Sequence, residues 1–204
     1  MTSTGEPIPL LLDRAREQDA EAVGTLLERY RGYLMLLART QIGRRLQGKA
    51  DPADLVQETF LEAHKHFENF RGQGEAELTA WLRRVFASVM ANHVRRYFGT
   101  QLRDARLEQD LALEIDNASG VLQRGLAATT STPSRQVAKR EALVALANAL
   151  EQLPPDYRQV IILRHLEGLP FAEVAARMER TVASVQNLWV RALRRLKQSI
   201  GDSW

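Results

Sequence analysis

Between Phe171 and Leu196 the chain carries two apolar stripes at helical spacing with only a short gap between them. Phe171, Val174, Ala175 and Met178 form the first stripe, and Val185, Leu188, Ala192 and Leu196 the second. Spacings of three and four put each set on one helix face, and such a face must be buried against another element. Two helices this close in sequence satisfy that demand across a tight turn, as a helix-turn-helix. Thr181 is placed to cap the second helix. Ala175 stands where crossing helices need a small side chain, and Val185 and Leu188 where the second helix packs onto the first. The outer face carries Ser184, Asn187, Arg191 and Arg194. From Arg180 to Lys197 there are five cations (Arg180, Arg191, Arg194, Arg195, Lys197) and no carboxylate, the pattern of a helix laid on phosphates. Trp189 is expected to pack on the preceding helix. Glu179 falls where such a turn favours glycine in a left-handed conformation, at a strain of roughly 1–2 kcal/mol for any other residue; a different turn geometry is the alternative.

The remaining periodicity is also helical, and no stretch alternates as a strand would. Leu10 to Arg16 reads as a short amphipathic segment. Asp19 caps a long helix running to about Ile42, with Val23, Leu26, Leu27, Tyr30, Leu34 and Leu37 on its apolar stripe. Gly43 and Gly48 bracket a loop. Asp51-Pro52 starts the next helix with a cap and a first-turn proline. That helix runs to about Asn69, where Arg71-Gly72-Gln73-Gly74 breaks it, and a further helix spans Glu75 to Tyr97. The stretch 100–132 has weaker signals and reads as a linker, although its first half is open to being partly helical. Helices then follow from Pro133 to Pro154-Pro155 and from there to about Glu167. The expected fold is all-α: two small helical domains joined by a flexible linker, the C-terminal one containing the helix-turn-helix.

The net charge of +3 conceals a sharp segregation. Asp51, Asp54, Glu58, Glu62, Glu68, Glu75 and Glu77 face only Lys65 and Arg71 in one block. In the next, Arg83, Arg84, Arg95, Arg96, Arg103 and Arg106 face only Asp104. Separate surfaces of opposite sign suggest separate partners. The absence of cysteine excludes disulfides and thiolate metal sites. No apolar run reaches the length of a membrane span, and the N-terminus lacks a basic segment ahead of an apolar one, so a cytoplasmic protein without membrane insertion is expected. No HExxH, phosphate-cradling glycine loop or nucleophile elbow is present. His64 and His66, two apart on a helix, point to different sides rather than to one metal. Neither an enzyme nor a cofactor or metal site is expected.

Two stretches carry a family resemblance. DPADLVQETFLEAHKHFENFRG followed by WLRRVFASVMANHVRRY resembles region two of bacterial RNA polymerase sigma factors. LPPDYRQVIILRHLEGLPFAEVAARM with TVASVQNLWVRALRRL resembles their region four. With no further domain between them, the layout is similar to the extracytoplasmic-function (ECF) type. The resemblance implies region two over residues 8–99, a linker over 100–132 and region four over 133–201. It implies core RNA polymerase (clamp helices of the largest subunit, and the flap) and promoter DNA as partners, and admits an anti-sigma factor.

Site residues follow from matching the family's pattern position by position. Asp54, Gln57, Glu58 and Leu61 are the candidates for core-polymerase binding, an acidic and Gln-bearing face for a basic coiled coil. Phe70, Arg71, Arg84, Ser88, Asn92, Arg95 and Arg96 are the candidates for the minus-ten element, taken as a single strand: amides and hydroxyls for base edges, arginines for phosphates. Relatives often have asparagine where Ser88 stands. Phe67, Phe70 and Trp81 are open to two readings, a stacking platform or core. For the minus-thirty-five duplex, Gln186, Asn187 and Arg191 match base-facing positions. Arg180, Ser184, Arg194, Arg195 and Lys197 suit phosphates. The linker's Glu108, Asp110, Glu114 and Asp116, with no cation among them, suggest an acidic strand that mimics RNA in the polymerase cleft. The alternative reading is a two-domain transcriptional regulator that binds duplex DNA through its helix-turn-helix without core polymerase.

Overall fold

Asp51 and Pro52 start a helix as their chemistry requires. The Asp51 carboxylate accepts the Ala53 backbone N–H at 2.7 Å, and Pro52 occupies the first turn, where its missing donor leaves nothing unsatisfied. The computed structural model describes residues 6–41, 50–98, 105–127 and 136–201, and within them all regular structure is helical. The chain divides into two units, Met1–Asp116 and Asn117–Trp204.

The first unit begins with α1 (Ile8–Arg16) and α2 (Ala20–Arg29), an antiparallel pair joined through Gln18, which adopts a left-handed φ of 65°. Asp19 caps α2 by accepting from Glu21 and Ala22, both at 3.0 Å. These cap bonds, with Arg14 beside them, hold the Asp19 carboxyl below its usual range. The single long helix expected from Asp19 to Ile42 is instead two, α2 and α3 (Arg31–Gln41), broken at Tyr30 (φ −92°, ψ 0°). The break has a packing cause. α3 buries Tyr33, Leu34, Leu36, Leu37 and Ala38 around most of its circumference, whereas α2 buries a single stripe, and a straight continuation would not bring α3 to the centre. The loop bracketed by Gly43 and Gly48 lies outside the described residues.

Around α3 the core is closed by α4 (Pro52–His66) and α5 (Glu75–Phe98). Leu55, Val56, Phe60 and Ala63 on α4 are buried, as are Leu78, Leu82, Phe86, Val89 and Met90 on α5. Each large side chain of this set stabilises the unit by about 1.5–3 kcal/mol through burial. One tight turn, Phe67–Asn69, ends α4.

The stretch read from sequence as linker carries a helix, α6 (Ala105–Ala127). Leu111 and Ile115, four apart, are fully buried. Arg83 on α5 donates to Asp116 at 2.5 Å and to the Tyr33 hydroxyl at 3.4 Å. The acidic run Glu108–Asp116 is therefore helical here, not an extended strand, and its last member is engaged within the unit.

In the second unit, α7 (Gln136–Glu151) precedes α8 (Pro155–Ile161), and Arg158 bonds Glu151 across their junction. The helix expected to reach Glu167 leaves α-geometry at Ile161. It continues as one wide turn, Ile162–Leu166, closed by a bond from Glu167 N–H to Ile162 C=O at 3.0 Å. Gly168, with φ of 73°, then reverses the chain. α9 (Phe171–Arg177) and α10 (Val182–Gly201) complete the helix-turn-helix. Val174, Ala175, Val185 and Ala192 are buried between them and their neighbours, so both stripes face inward as their spacing demands.

Candidate nucleic-acid interface

The turn that aims α10 is set by backbone bonds. The N–H of Arg180 reaches the Ala175 carbonyl at 3.0 Å and that of Glu179 the Ala176 carbonyl at 3.3 Å. This is the Schellman ending, which needs a left-handed residue at its centre. Glu179 supplies it with φ of 53°, settling the turn geometry that the sequence left open. Thr181 then caps α10, its hydroxyl accepting from Ser184 N–H at 3.2 Å.

With Val185, Ala192 and Leu196 buried, the rest of α10 is turned outward. Gln186, Asn187, Arg191, Arg194, Arg195 and Lys197 are exposed, and Ser184 is half-buried. Arg180 is exposed but bridges to Asp156 at 2.5 Å, so it meets any phosphate already paired. Arg191, Arg194, Arg195 and Gln198 also line a groove of about 740 Å³ with Pro154, Pro155, Asp156 and Tyr157. Val182 and Val190 are exposed on the same helix, and sequence reasoning passed over them. Their signal was an apolar, β-branched residue at a position the buried stripe leaves outside, suited to a thymine methyl.

Trp189 packs as expected. Its indole N–H donates to His165 Nε2 at 2.9 Å; it stacks on that imidazole at 5.8 Å and meets Phe171 edge-on at 5.5 Å. Arg164 covers the other ring of the cluster, 5.0 Å from the Phe171 centroid. Burial, and secondarily the charge of Arg164, push the His165 imidazole below its usual range. It is therefore neutral at pH 7 and free to accept from Trp189.

On α5 in the first unit, Arg84, Ser88, Asn92, Arg95 and Arg96 recur at helical spacing along one side. Arg84, Asn92 and Arg96 are exposed; Ser88 and Arg95 are half-buried, and Arg95 Nε donates to the Ala91 carbonyl at 3.1 Å. Arg71 is exposed in the loop before α5, its guanidinium 2.8 Å from the Glu68 carbonyl. Of the two readings open for Phe70, the packing favours core over a stacking platform. Only 6% exposed, Phe70 closes a triangle of rings with Phe67 (5.6 Å) and Trp81 (5.4 Å), themselves 5.7 Å apart. Its face is spent on core packing, so it supports the loop from beneath and offers no platform to a base.

The acidic face of α4 also needs one correction. Asp54 and Gln57 are exposed, and Leu61 is 62% exposed between polar neighbours. Glu58, however, turns toward α5 and meets His93 Nε2 at 2.5 Å. It ties α4 to α5 while its side chain stays 36% exposed, so the carboxylate is already partnered on that face. His66 lies 3.3 Å from Glu62 on the same helix. Among the described residues no three His, Asp or Glu side chains gather as a metal site.

Comparison with known proteins follows the same division. The family model "Sigma-70 region 2" matches residues 26–97, and "Sigma-70, region 4" matches residues 143–196. The ECF RNA polymerase sigma-E factor of Haemophilus influenzae is 28% identical over 93% of this chain and 93% of its own. That of Escherichia coli K12 is 28% identical over 90% of this chain and 88% of its own. A chain of the solved RsbN-BldN complex aligns with 92% of this one and 97% of itself at 26% identity, with a TM-score of 0.31, too low to bear on the fold.

Proposed function

The chain belongs to the sigma-70 family as an ECF-type RNA polymerase sigma factor with regions two and four, and we propose how its surfaces divide that work. Region two, residues 8–99, docks on core polymerase through the open α4 face, Asp54, Gln57 and Leu61. An exposed leucine flanked by acid and amide suits a basic coiled coil: apolar contact at the centre, charge-assisted bonds around it. The α5 side bearing Arg84, Ser88, Asn92, Arg95 and Arg96, with Arg71, takes the minus-ten element as a single strand. Region four, residues 133–201, lays α10 in the major groove of the minus-thirty-five element. There Gln186, Asn187 and Arg191 read bases, while Ser184, Arg194, Arg195, Lys197 and the Asp156-paired Arg180 hold phosphates.

The mechanism has no bond chemistry of its own. Capturing unpaired bases as they separate stabilises the open duplex through binding energy, without ATP. A good bidentate contact contributes about 1–3 kcal/mol of base discrimination. On this reading the factor works by binding rather than catalysis, in the cytoplasm where core polymerase and promoter DNA are found. Among the described residues no helix is long and apolar enough to cross a membrane.

One observation carries this reading: a single chain bears the region-two and region-four matches in order, with the exposed acidic face in the first and the exposed cationic reading face in the second. Co-purification with core polymerase, followed by transcription from a genomic library in vitro, tests it. Defined start sites that depend on the added chain are expected. Tight binding to duplex DNA by the free chain, with no association with polymerase, would instead identify a conventional duplex-binding regulator.

A further inference from the structure

The loop 70–74 that precedes the reading helix is short, glycine-rich and exposed at Arg71 and Gln73, yet its path is fixed from three sides. Phe70 sits beneath it in the triangle of rings with Phe67 and Trp81. Gly72 lies so close over that ring that an added Cβ would stand 2.4 Å from the Phe70 ring edge and 2.4 Å from Glu77 Cβ. Only glycine fits there. On the third side the Gly72 carbonyl accepts from Arg16 Nη2 at 2.6 Å, a bond spanning 56 residues of sequence. Arg16, in the last turn of α1, is aimed by Asp13, whose carboxylate takes its other terminal nitrogen at 2.8 Å. Arg16, His64, Lys65, Arg71 and Gln73 together rim a cavity of about 970 Å³.

We propose that Arg16 is a positioning residue for minus-ten recognition: its bond to the Gly72 carbonyl sets where the loop presents Arg71 and Gln73 to the captured strand. This rests on the reading above, in which the α5 side and its preceding loop hold the single strand. The physical argument is one of pre-organisation. A loop of two glycines samples many backbone states, and ordering it at the moment of binding would weaken capture and blur base choice. A charge-assisted bond from outside the loop removes that freedom beforehand, with the aromatic triangle as the floor against which it is held.

The test uses holoenzyme assembled from the full chain and core polymerase, on fork-junction DNA whose single-stranded minus-ten segment is varied one base at a time. Arg16→Ala is expected to leave core affinity unchanged, to weaken fork binding by about 5- to 10-fold, and to flatten discrimination at one base position while sparing the others. Arg16→Lys, which can still donate to the carbonyl, should recover most of that discrimination. Gly72→Ala, which displaces the loop from the opposite side, should reproduce the loss. The Arg16→Ala/Arg71→Ala pair should be scarcely worse than Arg71→Ala alone, because both act through one loop. Three results would overturn the proposal: wild-type binding and discrimination in Arg16→Ala; an equal loss at every base together with a lowered melting temperature; or a salt-dependence slope reduced by about one unit with base choice intact, which would make Arg16 a direct phosphate contact. Wild-type fork binding by an Arg84→Ala/Asn92→Ala variant would instead sink the underlying reading, so the two failures are separable.

Discussion

Glu58 on α4 and His93 on α5 meet at 2.5 Å, with His93 only 6% exposed. This contact separates two carboxylates that look alike in sequence, since Asp54 lies open one turn away. Asp54→Lys is therefore expected to cost at least tenfold in core-polymerase affinity, with only a small fall in stability, about 0.3–1 kcal/mol, from the charge lost in the first turn of α4. Glu58→Ala should do the opposite. It leaves His93 without its acceptor and should lower stability by about 1–3 kcal/mol, with assembly impaired only in proportion. Thermal melts beside a core-binding titration distinguish the two; equal effects of both variants on assembly at unchanged stability would restore Glu58 to the docking face.

On α10 the exposed cations divide by what they can reach. Arg191 follows Asn187 by one turn on the reading side, so Arg191→Ala should cost about 1–3 kcal/mol at one base pair and relax specificity there. Lys197, further along the helix and also exposed, should weaken all promoters alike when changed to Ala. It should also reduce the slope of log affinity against log salt by about one unit. Competition binding with single-base minus-thirty-five variants at several salt concentrations measures both. A base-specific loss in Lys197→Ala would show that the helix lies differently in the groove.

How much of this was legible in the sequence depended on how local its cause was. The Asp51-Pro52 start and the two inward stripes of the helix-turn-helix follow from a few adjacent residues, and the structure has them where the chain places them. The break at Tyr30 is not local: it exists because α3 must be surrounded, which no stripe on α2 announces. α6 was faint because its anchors, Leu111, Ile115 and Asp116, are few and their partner Arg83 lies 33 residues away. Phe70 shows the limit at the site itself. An aromatic residue in a chain break is equally suited to core or to base stacking until the ring partners are known. The tie of Glu58 was hidden for the same reason, its partner His93 being 35 residues distant.

The His165–Trp189 pair gives the helix-turn-helix a pH dependence of definite sign. Burial, then the neighbouring Arg164 charge, lower the folded-state pKa of His165 below its ordinary 6.5. In the window between the two values the unfolded chain binds the extra proton, so stability is fully present above pH 6.5 and declines as pH falls through that window. Protonation also converts Nε2 from an acceptor to a donor and removes the bond from Trp189. With Trp81 and Trp204 changed to Phe, melting followed by Trp189 fluorescence should fall in temperature between pH 7.5 and 5.5. His165→Phe should reduce that fall. An identical pH profile in His165→Phe would assign the dependence to other groups.

Glu179 offers the converse case, a residue that the turn tolerates at a cost. Its φ of 53° closes the Schellman ending that sets α10 against α9, and a left-handed conformation costs a residue with Cβ roughly 1–2 kcal/mol. Glycine removes that strain but adds freedom to the unfolded chain, which returns about 0.5–1 kcal/mol of it. The balance favours Glu179→Gly by about 0.5–1 kcal/mol, or an increase of about 2–8 °C for a unit of this size. Glu179→Ala keeps the strain while removing the charge, so it should leave the melting temperature near wild type. The two variants also separate geometry from electrostatics in function. Both delete a carboxylate adjacent in sequence to Arg180, at the start of the cationic helix, and should strengthen binding to minus-thirty-five duplex to a similar degree, whereas only glycine should stabilise. If Glu179→Gly lowered the melting temperature, the turn would not be strained at this residue, and its side chain would be contributing a contact that glycine lacks.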